Sequence, residues 1–174
     1  MNALNSIDAE GFNVEISRVN KSGLDCCDFN VILDKAHENH DHDMEYLYGE
    51  DFKDYRQQNH HHRNLGDIKK IIDSTSLSDN AKNIAIKIFE IIAHAEAKAH
   101  GKPINQVHFH EVGAIDSIVD IIAFAYCFDN LNITDVIVPF LCDGWGNVRC
   151  RHGILPIPVP AVINISSTLN IPIR

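Results

Sequence analysis

His108-Phe109-His110-Glu111-Val112-Gly113-Ala114-Ile115-Asp116-Ser117 runs on through Ile118 and Val119 to Asp120, and the reading of this stretch decides the fold. If Val107 to Glu111 is extended, His108 and His110 fall on one side, because side chains alternate along a strand. Gly113 offers a turn, and Ala114 to Leu131 then reads as a helix. Asp116 and Asp120 are four apart and share one face of that helix. The remainder, Ile118, Val119, Ile121, Ile122, Ala123, Phe124, Ala125, Tyr126 and Phe128, is apolar almost all round, which predicts burial in a core. The carboxylates interrupt the apolar run too early for a membrane span.

Carboxylates in a buried helix must be paired, hydrogen-bonded, metal-bound or protonated. The stretch is therefore a candidate site. Asp116 has a simpler explanation as well, since a carboxylate in the first turn meets free backbone N–H groups and the positive end of the dipole. Asp120 lies a turn deeper, where that argument fades.

The run HFHEVGAIDSIVDI closely resembles the signature of the LarC family, the nickel-insertion proteins of nickel-pincer cofactor biosynthesis. A second segment, Cys150-Arg151-His152-Gly153-Ile154-Leu155-Pro156-Ile157-Pro158-Val159-Pro160-Ala161, resembles that family's His-Gly motif and its Pro-x-Pro-x-Pro track. Family members open with a strand and a turn of the form D-x-x-x-G-x-x-G-D, and nothing of that form precedes Leu4. By this resemblance residues 1–174 are an N-terminal domain fragment that starts within the family's first helix and lacks its C-terminal domain.

The length suits a single domain with a real core. A net charge of −9 argues against nucleic acid or an anionic membrane as the main partner. The start MNALNSIDAEGF has no basic-then-apolar leader. Five cysteines, with Cys26 and Cys27 adjacent, read as reduced thiols of a cytoplasmic protein.

Phe12 to Val19 alternates as a half-exposed strand, Asn20 to Gly23 turns, and Cys27 to Leu33 returns as an antiparallel partner. Asp34 to Arg63 carries His37, His40, His42, His60, His61 and His62 among many acids and has no apolar periodicity. Such composition predicts a flexible insert, and imidazoles suit nickel. Leu65 to Ser74 reads as a short helix with Ile68, Ile71 and Ile72 on one face. Ser78 caps a long amphipathic helix, Asp79 to His100, with a stripe of Ile84, Ile88, Ile91, Ile92, Ala95 and Ala99 and a stop at Gly101. His94 and His100 on it read as structural. Asp135 to Leu141 has the composition of a buried strand. Gly144-Trp145-Gly146 turns it into a returning strand, Asn147 to Arg151, and Pro160 opens a helix through Leu169. The fold class is thus α+β: one domain, a mostly antiparallel sheet, a buried central helix, a long amphipathic helix and a His-rich insert.

The resemblance implies that the intact protein inserts Ni²⁺ into a pyridinium bisthiocarboxylate mononucleotide as a lyase-class metal-insertion enzyme. It also implies consumption of CTP with Mg²⁺ or Mn²⁺. His108, His110, Glu111 and Asp120 would then be metal ligands, helped by the insert histidines, with Glu111, Asp116 and Asp120 as catalytic residues. Gly144, Gly146 and His152 would face the phosphate of the substrate. Mixed imidazole and carboxylate ligands can select nickel and still release it, which a closed four-cysteine site would not do. A second reading is a nickel-delivery module that is inactive alone and partnered by a C-terminal domain or separate chain. A remote third is a metal-dependent phosphoester hydrolase. A homo-oligomer is compatible with each.

Overall fold

The computed structural model describes residues 4–34, 63–109, 112–150 and 153–174. The elements among them are hairpin strands β1 (Phe12–Lys21) and β2 (Leu24–Leu33), helices α1 (Leu65–Ser74), α2 (Asp79–His100) and α3 (Ile115–Asn130), a second hairpin of β3 (Gly146–Cys150) and β4 (Gly153–Ile157), and helix α4 (Pro160–Leu169). They form an α+β arrangement of four helices and two small antiparallel sheets.

Helix α2 is the element the others meet; α1, α3 and α4 all pack on it. It starts where Ser78 Oγ accepts the Ala81 N–H at 3.1 Å. It ends at Gly101, whose left-handed φ of 62° suits a residue without Cβ. The expected stripe of isoleucines is corrected here. The buried line is Ala81, Ala85, Phe89 and Ala93, with Ala95 beside it; Ile84 and Ile92 flank the core half-buried and Ala99 is exposed. Alanines at every fourth position let neighbouring helices approach closely, and with partners on several sides the isoleucines cover the edges of the contact instead of its centre.

Helix α1 is closed at its start by a capping box. Asn64 Oδ1 accepts the Gly66 and Asp67 N–H groups at 2.8 and 3.1 Å, and Asp67 Oδ2 accepts the Asn64 N–H at 3.2 Å. Its Ile68 and Ile72 are fully buried, as the periodicity predicts.

Helix α3 forms where expected but is not buried all round. Ile115, Ile118, Val119, Ile122 and Ala125 face the core, whereas Phe124 is 52% exposed and Tyr126 37%. Among the described elements α2, β2 and the Leu4–Ser6 turn cover it, and these reach only one side. The carboxylate of Asp129 near its end accepts from Ser78 Oγ and Asn80 Nδ2, both at 2.6 Å, fastening the end of α3 to the start of α2.

The first hairpin is longer than its alternation suggests. Its turn is only Ser22-Gly23, with φ of 53° and 86°, so the strands extend to Lys21 and Leu24. Phe12, Val14, Val31 and Leu33 pack on the core, while Ile16 midway along the hairpin and Leu24 beside its turn are exposed.

The second sheet departs from expectation. Asp135 to Leu141 is not a strand, and β3 pairs with β4 instead. Val136 and Ile137 are 63% and 91% exposed, and among the described residues no backbone hydrogen bond reaches residues 135–140. β-branched composition favours extended chain, but a strand exists only with a partner ladder, and none of the described strands lies alongside. Only Leu141 makes an isolated parallel bridge, to Ile173. The expected packing of α3 against a sheet containing this run is therefore absent among the described residues. Pro160 does open α4, and Asn164 Nδ2 holds that helix to α2 by donating to the Ala95 carbonyl at 3.0 Å. No helix is long and apolar enough to cross a membrane among the described residues.

Candidate functional site

The signature stretch enters on alternating chain. Val107 and Phe109 are buried and His108 between them is exposed. Phe109 sits in the core edge-on to Phe89, ring centroids 6.1 Å apart, and its N–H donates to the Arg63 carbonyl at 3.0 Å. Buried aromatic contact and backbone bond together fix the direction in which His108 leaves the chain.

Gly113 brings the backbone back onto Phe109. A Cβ at this position would stand 2.8 Å from both the Cβ and the carbonyl oxygen of Phe109, so only glycine allows the approach. The Gly113 carbonyl accepts from Arg63 Nη1 at 2.9 Å. Partial burial pulls the Arg63 pKa down, with Asp67 opposing, yet a guanidinium stays charged throughout the physiological range. Nothing in the sequence pattern marked Arg63, which reads as the last residue of a polar insert.

Ala114 precedes α3 without a side-chain cap, and Asp116 lies in its first turn with Oδ1 accepting the Ser117 N–H at 2.8 Å. This bond is the end-capping role anticipated for it. Asp120 follows one turn later and is exposed, which corrects the expectation of a buried carboxylate. Among the described residues no hydrogen bond or ion pair reaches it. The surrounding protein still removes enough water to push its carboxyl above the ordinary range, and the neighbouring Asp116 pushes it further in the same direction. The two carboxylates therefore share a face, as their spacing predicts.

His108, Asp116 and Asp120 do not by themselves close a metal site, and no group of three His, Cys, Asp or Glu forms one among the described residues. His110, Glu111 and His152 lie outside the described residues, as do His37, His40, His42, His60, His61 and His62. The two ends of the His-rich insert are placed: Asp34 N–H donates to the Gly11 carbonyl at 2.9 Å, and Arg63 bridges to Phe109. Gly146 opens β3 with a φ of 106°, so backbone conformation explains this glycine. Gly144 N–H donates to its neighbour Asp143 Oδ1 at 2.7 Å, and a Cβ there would meet Ile157 at an ordinary 3.6 Å. His100 lies 3.4 Å from Glu96 in the last turn of α2, the structural placement expected of it. Cys26, Cys27, Cys127 and Cys142 are free thiols.

A family described as "Nickel insertion protein" matches residues 1–173. A pyridinium-3,5-bisthiocarboxylic acid mononucleotide nickel insertion protein of Alkaliphilus metalliredigens is 48% identical over 166 residues, covering 94% of this chain and 38% of that protein. One of the same name from Acetivibrio thermocellus is 44% identical over 171 residues, covering 97% and 38%. A third, from Clostridium kluyveri, is 53% identical over 111 residues, covering 64% and 27%. The chain thus spans well under half the length of these relatives. No solved structure matches it.

Proposed function

We propose a function that starts from one established point: the chain belongs to the nickel insertion protein family. In this reading it takes part in placing Ni²⁺ into the pyridinium bisthiocarboxylate mononucleotide, with nickel as cargo. The observation that carries the reading is that Arg63 bonds both Phe109 and Gly113, with the exposed His108 just before them and the Asp116–Asp120 pair just after. Asp120 has no hydrogen-bond or ion-pair partner among the described residues, and partial burial and the neighbouring Asp116 both disfavour its charged form. A divalent cation between the two carboxylates would offset their repulsion.

His108 and Asp120 serve as nickel ligands, with His110 and Glu111 completing the set and Asp116 as ligand or orienting group. Imidazole and carboxylate donors with open positions hold nickel firmly enough to select it and loosely enough to surrender it to sulfur and carbon of the substrate. His152 and the turn at Gly144 and Gly146 face the substrate phosphate, and the insert histidines raise the local nickel supply. A cytoplasmic location is part of this reading, and the free thiols among the described residues are compatible with it. CTP with Mg²⁺ or Mn²⁺ belongs to the whole-protein reaction. The described residues bring together no three acidic ligands that would fit such a metal, so no step is routed through it.

The alternative reading is a nickel-delivery module, in which this part binds the metal and hands it over without converting the substrate itself. One experiment separates the two. The chain is incubated with Ni²⁺, CTP and the apo-cofactor, with and without the remaining portion of a relative supplied as a separate polypeptide. Conversion by the chain alone establishes catalysis in this part; conversion only with the second polypeptide establishes delivery. Wild-type nickel affinity in both His108→Ala and Asp120→Asn would sink the site as assigned.

A further inference from the structure

We propose that the run from Asp135 to Val138 accepts a β-strand, and that this strand comes from the part of the nickel insertion protein that the chain does not span. The inference needs only the family assignment and is independent of any nickel ligand.

The run is apolar and open. Val136, Ile137 and Val138 are 63%, 91% and 42% exposed. Side chains alternate in extended chain, so the run is bare on both sides. Residues 133–138 form neither helix nor turn, and the chain bends at Pro139. Among the described residues no backbone hydrogen bond reaches residues 135–140. Three consecutive β-branched residues favour extended chain, so the run has the propensity, the donors and the acceptors of a strand without its ladder.

Both ends of the run are fixed, so it is presented to a partner instead of trailing. Before it, the Ile133 N–H donates to the Phe128 carbonyl of α3 at 3.3 Å. After it, the Leu141 N–H donates to the Pro172 carbonyl at 2.8 Å and the Leu141 carbonyl accepts the Arg174 N–H at 2.9 Å. The Arg174 guanidinium also lies over the Phe140 ring, 4.5 Å from its centroid. A held apolar segment with a free edge is what strand addition uses: main-chain bonds attach the partner, and alternate side chains enter apolar places on it.

The occupant follows from the relatives. The Alkaliphilus metalliredigens protein matches 94% of this chain, which takes in residues 135–141, yet the match is 38% of that protein. Most of the family protein thus lies outside the match and can cover an apolar face that monomers rarely leave bare. A second copy of the chain fits less well. Antiparallel pairing about Ile137 would set Asp135 against Pro139, which has no N–H to give, and leave only Val136 to Val138 in the ladder.

The test compares hydrogen exchange in this chain and in the intact Alkaliphilus protein, read residue by residue over 133–141 and the matching segment. A strand added along one edge bonds every second residue. The expected result is fast exchange throughout 135–138 in this chain. In the intact protein at least every second amide should be slowed about a hundredfold or more, whatever the protein concentration. Slow exchange already in this chain overturns the proposal, because its own residues then cover the run. Fast exchange in both proteins overturns it as well. Slowing that grows with concentration assigns the run to a second copy and overturns the occupant. Fast amides beside side chains that hydroxyl-radical labelling finds shielded in the intact protein mean docking without a strand, which also overturns it. Each outcome is read without nickel, so it leaves the nickel reading to its own experiment.

Discussion

Replacing Asp120 with Asn keeps the side-chain shape and removes its charge, and its two effects should run in opposite directions. The carboxyl is held above its ordinary range first by partial burial and second by Asp116 one turn earlier. A raised folded-state pKa means that the folded chain binds this proton more tightly than the unfolded chain. The stabilisation it brings is complete below the unfolded value of about 3.9 and is lost as pH rises through the folded value. At neutral pH the two carboxylates on one face oppose folding. Asp120 faces water, so the cost is that of an exposed like-charge pair at i, i+4, about 0.2–0.5 kcal/mol. For a chain of this size that corresponds to a rise in Tm of about 0.4–2 °C in Asp120→Asn at low salt, shrinking as salt screens the pair. Melts of Asp116→Asn, Asp120→Asn and the double variant, at two ionic strengths and from acid to neutral pH, isolate the pair energy. Nickel titrations on the same proteins should show weaker binding in Asp120→Asn. A fall in stability beyond about 1 kcal/mol with nickel affinity unchanged would refute the reasoning, since it would give Asp120 a structural partner.

Gly113→Ala forces a Cβ to within 2.8 Å of the Phe109 backbone, and overpacking of this kind costs about 1–3 kcal/mol, visible as a lower denaturation midpoint. Phe89→Ala removes a fully buried ring that also supports Phe109, with an expected loss of about 3–5 kcal/mol by chemical denaturation. Asp129 has a lowered pKa because Asn80 and Ser78 donate to it, so it contributes stability above about pH 3.9 that is lost as pH falls through its folded value. Asp129→Asn should therefore flatten the acid side of the stability profile. Ile137→Ser, at a side chain 91% exposed, should change stability by no more than about 0.5 kcal/mol in the same assay.

The parts of the fold that were legible in the sequence are those whose determinants are local. Ser78 and Gly101 bracket α2 and Pro160 opens α4, because a cap or a stop acts on backbone groups within one turn. The spacing of Ile68 and Ile72 places α1, although the Asn64–Asp67 box that closes its start was not read from the sequence. Which face of a longer helix is buried depends on neighbours instead. In α2 the isoleucines look like the core stripe, yet the line of alanines with Phe89 is what neighbouring helices press against, since close approach rewards small residues. In α3 apolar residues all round predicted full burial, and among the described residues one face is open, because composition cannot say how many partners arrive. Val136 and Ile137 fail similarly: their preference for extended chain is real, but a strand also requires a second chain beside it.

In the site the same division explains what could be read and what could not. The alternation that exposes His108 between two buried neighbours, and the spacing that sets Asp120 beside Asp116, are periodicities and survive intact. Arg63 was invisible because its role is a contact across fifty positions of sequence, made by one backbone carbonyl and one guanidinium nitrogen, and it leaves no local pattern. Gly113 lies between the two cases. A glycine in a signature suggests a turn, but its necessity comes from Phe109, whose Cβ and carbonyl occupy the place a side chain would need. The catalytic-looking letters of the stretch therefore depend on two that carry no such chemistry, a buried phenylalanine and a glycine pressed against it. If the proposed nickel reading holds, substitution at either should disturb nickel binding as much as loss of a ligand does, because a ligand displaced by about 1 Å is a poor ligand.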